Sequence, residues 1–430
     1  MIKKNLFLAA LLMMLGATET SAQKYVGGDI SLLPTYEAKN AVYKDKNGNT
    51  ISDVLLFMKE QGCNAMRVRL FVDPSKAPET HKKEGVLQDL EYVKALGKRI
   101  KDAGLYFLLD FHYSDTWTDP GKHSTPDAWK NMTTTELAAQ MYSYTKECLD
   151  ALNNFGATPD AIQVGNEVNI GQLWDTGKTW PSSPSSQTMQ NFISYVNNAV
   201  AACREMCPQA KVVFHVAMNY RGSSASSNNN DQAKNWVNVL KDKGVDYDIF
   251  GLSYYPYYHG PLNELESLLT YLETAIPDKE IQLVEAGYPN AWYPSGATYD
   301  YTSVYDDTEE GQRQFTADLI EKLNAHPQVN GLYWWYPEAN GNYFASSWYN
   351  MGLWNNSTHC ALKALYELKN FISDPSGIVE VTNSKQSAGQ DVCYDLLGRR
   401  IQLSGCSPLA HPSPLKKGIY VADGQLVVMK

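Results

Sequence analysis

Eight short runs rich in β-branched and aromatic residues, each followed by a longer run with apolar residues at helical spacing, fill the chain from Lys24 to about Phe371. That alternation is the strongest constraint on the fold, because parallel strands need a crossover of a dozen or more residues, usually a helix, between each pair. The strand candidates are 25–30, 65–71, 106–111, 161–164, 212–216, 249–253, 282–284 and 331–335. After the second of them, Leu87, Leu90, Val93, Leu96 and Ile100 recur at intervals of three and four and share one helix face. Thr133 with Glu136, and Asp307 with Glu310, have the spacing of a capping box and mark two helix starts. Eight such units imply an α/β fold, a closed (β/α)8 TIM barrel, since closure leaves no parallel edge strand exposed.

Both ends depart from this pattern. Lys3 and Lys4 precede an apolar stretch at 6–15, and Thr20-Ser21-Ala22 offers small residues before Gln23, which reads as a signal peptide over 1–22. An exported protein is expected, in the periplasm, at the cell surface or outside the cell. No later stretch approaches the roughly 20 apolar residues of a membrane span, and no Cys follows the leader to carry a lipid. After Phe371, Asp374-Pro375-Ser376-Gly377 reads as a linker, and short strand-like runs follow it, so the expected division is a barrel over 23–373 and a small β module over 374–430. The Ser/Asn-rich stretch 223–230 reads as a loop after the fifth strand. Seven Cys (63, 148, 203, 207, 360, 393 and 406) lack metal-ligand spacing and are expected as buried or unpaired thiols, with Cys393 and Cys406 available to pair inside the module.

Composition narrows the function. The chain carries 28 Tyr and 10 Trp, more flat faces with a polar handle than a core needs, which suits a site that stacks on sugar rings. A net charge of −10 argues against nucleic acid and favours a neutral substrate over a polyanion. No Gly-rich fingerprint opens a helix after a strand, so a nicotinamide or phosphate site is not indicated.

In a barrel of this kind the chemistry sits at the carboxyl ends of the strands. Gly165-Asn166-Glu167 follows the fourth strand and Glu285 follows the seventh, 118 positions on, so opposed strands can aim two carboxylates into one cleft. Glycosidic cleavage needs such a pair: one carboxylic acid protonates the leaving oxygen, and the other attacks the sugar or activates water. Either glutamate alone is as readily a strand-end cap or an arginine partner; the pair, each within a near-complete motif, points to catalysis.

Those motifs carry a resemblance. Val164-Gly165-Asn166-Glu167 with Gly171 and Trp174, and Val284-Glu285 with Tyr288-Pro289, are similar to the acid/base and nucleophile segments of glycoside hydrolase family 53, the endo-β-1,4-galactanases of the clan A barrels. Gly28-Asp29-Ile30-Ser31, Met66-Arg67-Val68-Arg69-Leu70-Phe71, Leu109-Asp110-Phe111-His112-Tyr113-Ser114-Asp115-Thr116-Trp117 and Ser253-Tyr254-Tyr255-Pro256 match that family in order. The resemblance implies retaining endo-hydrolysis of β-1,4-galactan or type I arabinogalactan, with Glu167 as a neutral acid/base and Glu285 as an ionised nucleophile. Arg67, with Arg69 as its competitor on the same side of the strand, would hold Glu285, helped by Tyr254 or Tyr255. Asn166 would bond the sugar 2-hydroxyl and Glu285. His112 and His215 are sugar-contact candidates, each about as readily a satisfied core histidine. Asp115 falls in a matching segment. Trp335 resembles the floor for the sugar being cleaved, Trp334 the barrel wall, and Trp117, Trp174, Trp292 and Trp348 lie in loops where part of a second aromatic platform is expected.

Some features depart from the family. Trp335-Tyr336-Pro337 stands where members usually carry Trp-Glu-Pro. Some bacterial relatives bind calcium through an Asp-rich run after the seventh strand; here 290–305 holds only Asp300, which argues against calcium and leaves Asp306 and Asp307 as the residues available for it. No cofactor is expected. Galactan and galacto-oligosaccharides are the expected partners of a monomer. Tyr394-Asp395-Leu396-Leu397-Gly398-Arg399-Arg400 and Leu415-Lys416-Lys417-Gly418-Ile419-Tyr420-Val421 resemble the C-terminal sorting modules of secreted Bacteroidetes proteins. Another clan A endo-glycosidase, a mannanase or xylanase, is the nearest alternative; a catalytically silent glycan-binding protein is the alternative from a different class.

Overall fold

The computed structural model describes residues 23–218, 232–341 and 343–372, together with the backbone of five short strands between 378 and 429. The signal-peptide reading at 1–22, the loop at 223–230 and the pairing of Cys393 with Cys406 lie outside the described residues. Two units divide the chain, Met1–Phe371 and Ile372–Lys430.

In the first unit, β1 (Tyr25–Asp29), β2 (Ala65–Leu70), β3 (Tyr106–Phe111), β4 (Ala161–Val164), β5 (Lys211–Ala217), β6 (Ile249–Tyr254), β7 (Glu280–Ala286) and β8 (Val329–Trp335) form a closed barrel in sequence order. Parallel pairing of β1 with β8, from Tyr25 opposite Gly331 to Asp29 opposite Trp335, closes the ring. The (β/α)8 expectation holds. Strands β5, β7 and β8 start one or two residues earlier than the pattern suggests, because the polar residues Lys211 and Glu280 at the starts of β5 and β7, and Asn330 as the second residue of β8, carry no β signal of their own.

Helices α1 (Leu90–Asp102), α2 (Thr134–Phe155), α3 (Gln187–Met206), α4 (Gln232–Lys243), α5 (Leu262–Ala275) and α6 (Glu309–Asn324) surround the barrel. Their buried faces follow the apolar spacing: Val93, Leu96 and Ile100 are buried on α1, whereas Leu87 precedes the helix. Thr133 and Glu136 form the expected capping box on α2. At α6 the expectation fails by one residue. Thr308 is the N-cap, with extended backbone, and its hydroxyl accepts the N–H of Gly311; Asp307 stays outside the helix. Cys63, Cys148, Cys203 and Cys207 are buried free thiols, and Cys360 is half-buried and free. Among the described residues no helix is long and apolar enough to cross a membrane.

The interior is layered. Ala65, Leu108, Ala161, Val213, Ile249, Val284 and Tyr333, one from each of seven strands, form an apolar cluster. Side chains two positions along a strand share a face. The next inward positions on β2, β3, β4, β5, β6 and β8 are therefore Arg67, Asp110, Gln163, His215, Ser253 (four positions from Ile249) and Trp335, a largely polar layer at the carboxyl ends. This layer positions the site.

In the second unit, β9 (Ile378–Glu380), β10 (Cys393–Asp395), β11 (Arg400–Ile401), β12 (Gly418–Ala422) and β13 (Gln425–Met429) form one sheet in the order β11-β10-β12-β13-β9. Only the β13–β9 pair runs parallel.

Candidate active site

Arg67 is the hub. From β2 its Nη1 donates to Asp29 Oδ2 at 2.8 Å and lies 3.0 Å from Glu285 Oε1, while Nη2 donates to Asp110 Oδ2 at 2.7 Å and Asn166 Oδ1 at 2.9 Å. Nε donates to Gln163 Oε1 at 3.3 Å. Burial works against this charge, but Asp110, Glu285 and Asp29 outweigh it and hold the guanidinium well above its ordinary range. A fixed fork of donors can satisfy four strands in this way; a lysine point charge cannot.

Glu285 reaches the interior through an irregularity. Val284 already faces the core, so strict alternation turns Glu285 outward. Across β6 and β7 the register slips from Leu252 opposite Leu283 to Ser253 opposite Glu285. That bulge lets consecutive residues face the same side. The Glu285 carboxylate then meets Arg67 at one oxygen and accepts the Tyr255 hydroxyl at the other, at 3.0 Å.

Glu167 sits just past β4 at φ +46°, two residues after Gly165 at φ +106°. The left-handed region is unfavourable for glutamate and persists only where neighbours impose it. Here they do: the Glu167 N–H donates to His215 Nδ1 at 3.2 Å, and its carbonyl stands 3.1 Å from His123 Nε2.

Glu167 and Glu285 line the same cleft, of about 440 Å³, and are 9% and 5% exposed. Burial raises both carboxyls above the ordinary range. The Arg67 guanidinium and the Tyr255 hydroxyl pull Glu285 back down, whereas the Glu285 charge pushes Glu167 further up. Both effects favour the charged form of Glu285 over that of Glu167.

Aromatic rings form the walls. Trp335 lies edge-on to Trp117 and Trp348, with ring centroids 6.2 and 6.3 Å away, and all three line the cleft with Tyr255 and Tyr258. Beneath them the Arg69 guanidinium lies 4.7 Å from the Trp335 ring and 4.9 Å from Trp117, held by Asp29 at 2.7 Å. Arg69 thus serves the aromatic floor and leaves Glu285 to Arg67.

Residues 25–371 match the family model described as glycosyl hydrolase family 53. The chain belongs to glycoside hydrolase family 53. An uncharacterised Niallia circulans protein is 32% identical over 324 residues, 73% of this chain and 83% of that protein. The arabinogalactan endo-β-1,4-galactanase of Cellvibrio japonicus is 30% identical, covering 77% of this chain and 86% of its own. Among solved structures, the Ignisphaera aggregans family 53 catalytic domain superposes with a TM-score of 0.71 at 28% identity, covering 82% of this chain and 98% of that domain. One of two fungal β-1,4-galactanases gives 0.67 at 27% identity, covering 81% and 99%.

The family 53 barrel brings together Arg67, His112, Trp117, Asn166, Glu167, Tyr255, Glu285 and Trp335 of the residues singled out in the sequence. His112 lies in the cleft wall, neutral through burial, with Nδ1 2.8 Å from Thr118 Oγ1. Asn166 faces the cleft, but its amide donates to Thr118 O at 2.8 Å and its carbonyl accepts from Arg67; among the described residues no bond to Glu285 is made. Four candidates stand elsewhere. Tyr254 is fully buried and donates to Gly260 O at 2.8 Å, since neighbours on a strand face opposite sides and Tyr255 takes the inner one. His215 lies wholly buried behind Glu167. Asp115 accepts the N–H groups of Asp73 and Asp127 and ties two loops. Trp292, 53% exposed, lies edge-on to Tyr349 and does not line the cleft. Trp174 donates to Ile170 O within its own loop, and Trp334 sits in the barrel wall bonded to Met351 O.

Asp110, Gln163, Ser253, His123 and Tyr258 went unassigned in the sequence. Asp110 and Gln163 had a signal, a polar residue at the inward phase of an otherwise apolar strand. Tyr336, at φ +61°, lines the cleft where the family usually has Glu, and Glu338 turns inward to accept the Leu32 N–H at 2.7 Å. Burial and the nearby Asp29 push that carboxyl up to about 8. Among the described residues no three His, Cys, Asp or Glu side chains gather as a metal site.

Proposed function

We propose that this protein is an exported, monomeric endo-β-1,4-galactanase that retains anomeric configuration, with Glu285 as nucleophile and Glu167 as acid/base. The observation that carries the reading is the asymmetric carboxyl pair: two buried glutamates in one aromatic cleft, one gripped by Arg67 and Tyr255 and the other left to hold a proton. In the first step a Glu285 oxygen attacks the anomeric carbon while the Glu167 proton passes to the leaving oxygen, forming a covalent glycosyl-enzyme. In the second, ionised Glu167 takes a proton from water, whose oxygen attacks the same carbon and frees Glu285. Trp335 offers a face for the sugar, Asn166 and His112 offer polar edges beside it, and relatives named as arabinogalactan endo-β-1,4-galactanases support galactan as the polymer. The leader-like 1–22 supports export.

Reducing-sugar release from unbranched β-1,4-galactan, β-mannan and xylan, with product anomers followed by NMR, tests this directly. Galactan alone is cut, and the β-anomer appears first. Activity confined to mannan or xylan, or an initial α-anomer, overturns the reading.

The pair also sets the pH profile. Activity rises as Glu285 loses its proton and falls as Glu167 loses its own, so both limbs of kcat/KM lie above the ordinary carboxylate range. Tyr255→Phe removes a donor that favours ionised Glu285, and the acid limb moves to higher pH by about one unit while the alkaline limb stays. An acid limb that does not move removes Tyr255 from this role.

A further inference from the structure

The turn at 119–122, in the loop after β3, is mounted on the acid/base segment by both of its ends. On one side the Asn166 amide donates to Thr118 O at 2.8 Å; on the other, His123 Nε2 donates to Glu167 O at 3.1 Å, since a carbonyl can only accept. Each anchor is itself held from behind. The Thr118 N–H donates to His112 Nδ1 at 3.2 Å, and the Trp174 N–H donates to His123 O at 2.8 Å. Between the anchors the backbones of Asp119 and Lys122 pair in both directions, at 3.0 and 2.9 Å, and the Gly121 N–H donates to Asp119 Oδ1 at 2.7 Å. Asp119 Oδ2 and the Lys122 ammonium are left 3.4 Å apart, on side chains 44% and 40% exposed, and both residues line the cleft with Glu167. Among the described residues that line the cleft, Lys122 is the one lysine or arginine.

We propose that Asp119 and Lys122 form the subsite for the leaving sugar, Lys122 donating to one of its hydroxyls and Asp119 accepting from the neighbouring one. This rests on the reading of Glu167 as acid/base and adds how the departing unit is held. An acid must stand within hydrogen-bond reach of the oxygen it protonates, so the departing sugar begins at Glu167. The hydroxyls that flank that oxygen then meet the side chains that border Glu167 on the cleft wall. A turn bonded to Asn166 and Glu167 themselves keeps those side chains at a fixed distance from the proton being delivered. An ammonium only donates and an ionised carboxylate only accepts, so together they hold two neighbouring hydroxyls in one orientation, through bonds that charge strengthens. The sugar joined to Glu285 lies on the other side of the broken bond. The contribution of the pair therefore disappears with a leaving group that has no hydroxyls.

The test compares the full-length protein with its Lys122→Met, Lys122→Arg and Asp119→Asn variants on galactotetraose and on phenyl β-galactobioside, whose leaving group carries no hydroxyls yet still needs the acid. In Lys122→Met and Asp119→Asn the ratio of kcat/KM on the first substrate to that on the second falls about ten- to a hundredfold, the range for one lost charge-assisted hydrogen bond. Lys122→Arg keeps donors and charge, and the ratio falls less than about fivefold. Asn retains the oxygen that meets the Gly121 N–H, and Lys122 holds the turn by its backbone, so the turn survives each change. Galactobiose added as acceptor gives a second readout: its hydroxyl attacks the glycosyl-enzyme in place of water, its proton passes to Glu167, and the ratio of transfer to hydrolysis falls in Lys122→Met. A parental substrate ratio in Lys122→Met and Asp119→Asn, whether both substrates keep their rates or lose alike, reduces the pair to a surface ion pair of the turn and overturns the proposal. Glu167→Gln separates this failure from that of the reading beneath it. Equal loss there on phenyl and dinitrophenyl galactobiosides removes Glu167 from the acid role and the subsite with it, whereas unequal loss beside a parental Lys122→Met ratio removes the subsite alone.

Discussion

Glu285→Ala lowers galactan hydrolysis by about 10⁴-fold or more, because among the described carboxyls that line the cleft, Glu84, Asp119, Glu167 and Glu285, it is Glu285 that Arg67 and Tyr255 grip. The fold survives the change. Arg67 keeps Asp29 and Asp110 as partners at 2.8 and 2.7 Å, so the guanidinium is not left buried without a counter-charge. What disappears is the covalent intermediate. A small anion can enter the space vacated by the carboxylate, so sodium azide restores turnover of an aryl β-galactobioside and yields the α-galactosyl azide, with inversion. The product is identified by NMR. A β-azide, or activity within tenfold of the parent with no azide present, assigns the nucleophile elsewhere.

Glu167→Gln slows galactan cleavage by about 10²- to 10⁴-fold, the range expected for loss of a positioned proton donor. The loss depends on the leaving group. An aryl galactobioside with an acidic phenol departs with little protonation, so its first step stays fast while the second, which needs a base, stalls. Stopped-flow therefore shows a burst of phenol equal to the enzyme concentration, and mass spectrometry shows the chain carrying one galactobiosyl unit. Azide then releases the β-galactosyl azide, retaining configuration, the opposite outcome to that of the Glu285 variant. Equal loss on galactan and on the activated substrate removes Glu167 from the acid role.

The sequence speaks most clearly where a residue's type and its phase agree. Eight strands were legible because β-branched and aromatic runs alternate with helical spacing, and the glutamates were legible because each closes a strand inside a family motif. Choices between neighbours were less so. Arg67 and Arg69 share an inward phase, and only depth in the barrel separates the one that meets Glu285 from the one beneath Trp335. For Tyr254 and Tyr255, alternation from Ile249 and Ser253 selects Tyr255 as the inner one, but a strand buried on both faces reads as one continuous apolar run, so its inward phase shows only in the folded barrel. From its place at a strand end His215 reads about equally as a sugar contact or a satisfied core histidine; its ring is engaged by Glu167, Gln163 and Ser253, which is the second. Thr308 displaced Asp307 as a cap because both are good caps and spacing alone ranked them wrongly.

The polar tier of the barrel is assembled from strand residues or from positions directly after strands, whereas Trp117, Tyr258 and Trp348 come from the connecting segments above it. Bond-breaking and polymer recognition are thereby carried by separable parts of the chain. Grafting those connecting segments from a relative with another preference exchanges the rim and leaves the charged machinery intact, so a library built there samples new glycans at little risk to the chemistry.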